Sequence, residues 1–121
     1  GSIVFVTSIA GSEDVGAPLP YAASKSALST YSKSLSKKLG SFGVRVNAVS
    51  PGNILFKGGN WDMKCNANPQ EITKMLADKV PLGTFGDPSD IGNMVAFLLS
   101  EKAKFITGSS IVVDGGQTIT F

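Results

Sequence analysis

The sequence predicts an α/β fold built on a parallel sheet, and three observations carry that prediction. Three short, β-rich apolar runs are separated by segments with helical periodicity. The separating segments are long enough to act as crossovers, which parallel strands require and hairpins do not. Residues 3–7 (Ile-Val-Phe-Val-Thr) are apolar without alternation, a pattern that suits a strand buried on both faces.

Each element follows from local chemistry. Residues 8–20 form a loop punctuated by Gly11, Gly16, Pro18 and Pro20. A helix is predicted over 21–39, where Leu28, Tyr31, Leu35 and Leu39 recur at three-to-four spacing and Gly40 and Gly43 end the run. Its many Ala and Ser residues predict close packing against another helix or a sheet. Residues 44–49 (Val-Arg-Val-Asn-Ala-Val) read as a second strand, which Ser50-Pro51-Gly52 stops because proline cannot continue a central strand. Residues 53–67 read as a long loop with Gly58, Gly59, Trp61 and Met63. Asn68, Pro69 and Glu71 carry the cap, first-turn and capping-box chemistry of a helix start. Ile72, Met75, Leu76 and Val80 give that helix its apolar face. Asp87-Pro88-Ser89-Asp90 opens a further helix over 88–100, with Ile91, Met94, Val95 and Leu98 inward and both aspartates as caps. Gly108 precedes a third strand over 110–114, closed by a turn at Gly115-Gly116. The order is therefore strand, helix, strand, helix, helix, strand.

Composition narrows the chemistry. The 121 residues suffice for one domain at most, and 42% hydrophobic with 17% charged residues describes a chain that builds a core. The net charge is +2 and the 11 basic residues are scattered, so no basic stripe offers itself to nucleic acid. Apolar runs are a few residues long, too short for a membrane span. Cys65, the one cysteine, forms no intrachain disulfide, which suits a cytoplasmic location. With no histidine and one cysteine, the chain has no Ser-His-Asp triad, no Cys-His pair and no His- or multi-Cys-ligated zinc.

The chemistry that remains centres on Tyr21 and Lys25. A spacing of four puts both on one helix face, one turn apart. An ammonium held beside a phenol favours its ionised form, giving a group that exchanges a proton with an alcohol or carbonyl near neutral pH. Ser8 lies thirteen positions before Tyr21, at the end of the first strand. In parallel α/β sheets ligands bind outside the carboxyl ends of the strands. Ser8, the Pro51-Gly52 turn and the start of the Tyr21 helix all fall on that edge. Taken alone, Ser8 reads more often as a strand-end hydroxyl that satisfies backbone; the context of Tyr21, Lys25 and the strand order favours function. Trp61, Met63 and Phe56 either line a substrate pocket or pack on another surface.

Taken together, Gly-Ser-Ile-Val at 1–4, Ser8, Tyr21-Ala-Ala-Ser-Lys25, Val-Arg-Val-Asn-Ala-Val-Ser-Pro-Gly at 44–52, Thr107-Gly108 and Val-Asp-Gly-Gly at 113–116 resemble the short-chain dehydrogenase/reductase family, with a 3-oxoacyl-carrier-protein-reductase-like pattern. The resemblance runs over essentially the whole chain. It implies a Rossmann-like fold and reversible hydride transfer between NAD or NADP and a carbonyl or secondary alcohol. It implies that Tyr21 is the acid/base, that Lys25 tunes it and binds the nicotinamide ribose, and that Ser8 orients the substrate. It further implies that Pro51, Gly52 and Ile54 contact the nicotinamide end of the cofactor. Phe56 departs from the pattern, standing where the family often has a diphosphate-binding Thr. The implied partners are a small carbonyl or alcohol substrate and further copies of the chain, as a dimer or tetramer.

The family's amino-terminal Gly-x-x-x-Gly-x-Gly turn, which takes the cofactor pyrophosphate, has no counterpart here. Residues 1–121 are accordingly expected to be the carboxyl-terminal part of one Rossmann-like domain, the second half only, without its cofactor-binding first half. Two alternatives follow: by itself the chain is a non-catalytic folding or oligomerisation half, or it is a redox-inert relative that binds a ligand.

Overall fold

The computed structural model describes residues 1–120. Three parallel strands lie in the order β1 (Ser2–Val6), β2 (Arg45–Pro51), β3 (Ser110–Val113). Between them run α1 (Leu19–Leu39), α2 (Asn60–Ala67), α3 (Pro69–Lys79) and α4 (Pro88–Leu99). The predicted α/β class with a parallel sheet is the observed one.

The central strand explains the layering. Val49 is fully buried among Leu98 and Ala103, with Ile91, Met94 and Val95 of α4 packed around them. Ala48, also buried, lines a shared cleft with Ser29 and Ser32 of α1. Successive strand residues point to opposite faces, so α1 covers one face of the sheet and α4 the other.

Several boundaries differ from expectation for identifiable reasons. α1 begins at Leu19 rather than Tyr21, with Pro20 in its first turn, where a missing N–H costs no helical bond. Its buried residues are Ser32 and Ser36, whereas Tyr31 of the leucine stripe is exposed. Pro51 ends β2 instead of terminating it from outside: it pairs in register with Val113, and the ladder continues through the Gly52 N–H to Val113 O (3.0 Å). Residues 60–67, read as loop, form α2. That helix has no side-chain cap and no apolar stripe; its first-turn Asp62 accepts the Gly58 N–H at 2.8 Å, and Trp61 packs on Phe85. β1 is not buried on both faces: Ile3 and Val6 are 36% and 46% exposed on this edge strand.

Both predicted caps form. Asp87 accepts from Ser89 N–H while Asp90 accepts from the Asp87 N–H, a complete capping box. Asn68 accepts from Glu71 N–H, but Glu71 takes its second bond from the Asn68 side chain. Arg45, whose side chain carried no sequence signal, donates to the carbonyls of Leu98 (2.7 Å) and Ser100 (3.0 Å), closing the carboxyl end of α4.

Candidate active site

The carboxyl ends of the strands are tied together by hydroxyls. Thr7 Oγ1 donates to Val49 O at 3.0 Å, so the Ser50 hydroxyl donates to Thr7 (2.7 Å) and Ser110 to Ser50 (2.9 Å). This row lies under the rim where the predicted residues gather.

Ser8 follows Thr7 and opens a short 3-10 turn, Ile9–Gly11; its Oγ accepts the Ala10 N–H at 3.2 Å. The backbone-satisfying reading of Ser8 is thus realised, yet an accepting hydroxyl keeps its own hydrogen for donation. The turn rests directly on α1. A Cβ at Gly11 would fall 2.8 Å from the Lys25 carbonyl carbon and the Ser26 nitrogen, so only glycine permits this approach.

Lys25 reaches along the strand end. Its Nζ donates to Val6 O at 3.2 Å and stands 5.6 Å from the Tyr21 ring centroid, within cation–π range. The ammonium is therefore fixed by β1 while it faces the phenol. Tyr21 is 45% exposed, which leaves its hydroxyl open to a ligand. Ser8, Tyr21 and Lys25 are brought to one rim by a strand end, a 3-10 turn and the first turns of α1.

The Pro51-Gly52 turn sits on the same edge, at the end of β2. A Cβ at Gly52 would lie 2.6 Å from Asp114 Cβ, so the bareness of Gly52 serves contact with Asp114. Ile54 bridges to Gly86 and, with Phe85, Met94, Phe97 and Val113, lines a cavity of about 470 Å³. That cavity is roomy enough for a ligand, but none of Ser8, Tyr21 and Lys25 lines it. Neither do Phe56, Trp61 and Met63; Phe56 and Met63 are exposed, and Lys64 lies 4.5 Å above the Trp61 ring.

Two carboxylates beside the rim had no functional signal in the sequence. Glu13 accepts from Ile119 N–H (3.0 Å), Thr120 N–H (2.6 Å) and the Thr120 hydroxyl. The Thr120 hydroxyl, then its N–H, hold the Glu13 carboxyl below the ordinary carboxylate range. Burial pushes Asp114 up, but Thr118 N–H (2.7 Å), the Thr118 hydroxyl (2.8 Å) and Gly116 N–H (2.9 Å) outweigh it and hold the carboxyl down. The Asp-Gly-Gly turn chemistry at 114–116 was the one available hint.

A family model described as enoyl-(acyl carrier protein) reductase matches residues 1–118. The chain is 40% identical over 117 residues to a 3-oxoacyl-[acyl-carrier-protein] reductase of Rickettsia felis, covering 97% of this chain and 46% of that protein. Among solved structures, 4-hydroxyisoleucine dehydrogenase complexed with NADH superposes with a TM-score of 0.83 at 34% identity, covering 98% of this chain and 46% of the other. L-sorbose reductase from Gluconobacter frateurii, complexed with NADPH and L-sorbose, gives a TM-score of 0.89 at 28% identity, covering 100% and 48%. The chain thus spans a little under half the length of these relatives.

Proposed function

The chain belongs to the short-chain dehydrogenase/reductase family, and from that premise we propose that it carries the catalytic residues of a nicotinamide-dependent oxidoreductase acting on a carbonyl or secondary alcohol. We read it as the carboxyl-terminal part of a single Rossmann-like domain, in keeping with the 46% of the Rickettsia felis reductase that it spans. The observation that carries the functional reading is Lys25, pinned to Val6 O while facing the exposed Tyr21.

The donor set suits the nicotinamide end of NAD or NADP. Lys25 and Tyr21 would offer an ammonium and a hydroxyl to ribose hydroxyls, and Pro51, Gly52 and Ile54 would hold the nicotinamide end. When bound, that cofactor supplies or accepts the hydride. The chain's own residues handle the rest. Ser8 donates its free hydrogen to the substrate oxygen and fixes its direction. Tyr21 gives its proton to that oxygen as a carbonyl is reduced and takes it back as an alcohol is oxidised. Lys25 holds positive charge beside the phenol when the proton has left.

Reduction of a panel of ketones with NADH and with NADPH, followed through nicotinamide absorbance in the whole enzyme, tests this. Tyr21→Phe keeps the ring and removes the proton, and turnover should fall by at least ~100-fold. Turnover within about threefold of the unaltered enzyme would overturn the assignment.

A second reading concerns the chain by itself. The absence of a Gly-x-x-x-Gly-x-Gly turn supports a non-catalytic half that folds or oligomerises with other polypeptide. Tyr31 and Phe42, 57% and 78% exposed, offer apolar surface to that other polypeptide. Titration calorimetry on the 121-residue chain should then show no micromolar binding of either cofactor; a clear isotherm would count against this second reading.

A further inference from the structure

The chain leaving β3 turns back on itself across the rim. Gly115 and Gly116, at φ 65° and 87°, take backbone conformations that favour glycine. Asp114 gathers Gly116 N–H, Thr118 N–H and the Thr118 hydroxyl, which fixes the direction of the returning segment. Two residues on, Glu13 takes the N–H groups of Ile119 and Thr120 and the Thr120 hydroxyl. No Lys or Arg pairs with Glu13 among the described residues, and every hydrogen bond of its carboxylate goes to this segment.

Both ends of the segment touch the turns that hold the candidate site. At its start, Asp114 is packed on Gly52. At its finish, Glu13 belongs to the turn that Ser8 opens: Glu13 N–H and the Ser12 hydroxyl both bond Ile9 O at 3.0 Å, and Ile9 and Ala10 are buried. One feature opposes closure, because Gln117 Oε1 is buried without a hydrogen-bond partner.

Resting on the functional reading above, we propose that residues 114–120 are a strap that locks the Ser8 turn to the Pro51-Gly52 turn, latched by Glu13. Glu13 is a positioning residue for Ser8. The closed strap is held by the Glu13 carboxylate and strained by the unmet Gln117 amide. Bonds from Thr120 lower the proton affinity of the Glu13 carboxyl, and the charge of Asp114 opposes this.

Amide hydrogen exchange on the full chain tests the strap without reference to turnover, so failure of the oxidoreductase reading would leave this measurement intact. Glu13→Ala should speed exchange at Ile119 and Thr120 by ~10-fold and at Ala10 and Gly11 by ~3-fold, with Val46 and Val49 unchanged as a check on the fold. Glu13→Gln, which keeps an acceptor oxygen, should restore protection to within ~3-fold of the unaltered chain. Gln117→Met should slow exchange at Ile119 and Thr120, because it removes the unmet acceptor. Unchanged exchange at Ile119 and Thr120 in Glu13→Ala would overturn the latch. A change there that leaves Ala10 and Gly11 untouched would overturn the positioning of Ser8. Failure of Gln117→Met to slow exchange would overturn the opposing role of the amide.

Discussion

The two helices that cover the sheet do so by opposite means. α4 buries a wholly apolar stripe: Leu98 at 0% exposure, with Ile91, Met94 and Val95 around it. α1 buries serines, Ser32 and Ser36, and comes so near the sheet that a Cβ at Gly108 would lie 2.7 Å from Ser36 Oγ. The α4 face supplies cohesion through apolar area removed from water. The α1 face trades area for close approach, and that approach brings Lys25 within reach of Val6 O and sets Gly11 against its backbone. Stability and candidate chemistry are thus carried by different faces of one three-stranded sheet.

Truncation on the apolar face should have the largest effect. Leu98→Ala opens a cavity beneath β2 and should cost about 3 kcal/mol, read as a lower midpoint in denaturant unfolding. A loss under about 1 kcal/mol would mean that α4 is not the main source of cohesion.

On the other face, approach matters more than volume. Gly11→Ala forces a methyl against the Lys25–Ser26 backbone, and about 1–3 kcal/mol should be lost in the same unfolding measurement. Activity should fall with it, since the Ser8 turn and Lys25 move apart. An unaltered midpoint would show that the turn does not rest on α1.

The rim should also respond to acid. Asp114 has a folded-state affinity for protons below that of the unfolded chain. Its stabilising contribution is therefore complete above the ordinary carboxylate range and is lost as pH falls through the depressed folded value. Thermal midpoints of the unaltered protein and Asp114→Asn should differ at neutral pH and converge in acid; a constant difference would contradict the assigned protonation.

The smallest effect should come from Ser36→Ala. The Ser36 hydroxyl bonds only Lys33 O, a carbonyl of its own helix, at 2.8 Å. Removing it strands no buried partner and gains helix propensity, so the unfolding midpoint should stay within about 0.5 kcal/mol. A large loss would show that the serines of α1 hold the sheet by more than their small size.

These contrasts also explain what was legible. The stripe of α4 and its Asp87 cap could be read directly, because apolar periodicity and capping are local signals. The Ser8, Tyr21 and Lys25 set was legible as a spacing, and the parallel order placed it on one edge. Leu28, Leu35 and Leu39 of the predicted stripe are half-buried on the same face of α1 as Ser32 and Ser36, and the close approach of that face follows the Ala- and Ser-rich composition; Tyr31 departs from the stripe, exposed with its ring edge-on to Phe5.

By itself the sequence determined the three strands, the helices α1, α3 and α4 between them, the parallel connection of the strands and the residues that converge on the rim, because propensity, capping and chain length act locally. Tertiary structure alone decided that Ser32 and Ser36 are the residues of α1 that become buried, that residues 60–67 wind into α2 beside Phe85, and that Glu13 meets Thr120 across 107 positions of sequence. Those outcomes depend on what another segment presents (a bare glycine, an aromatic ring, a free N–H), and no local pattern encodes the partner's place.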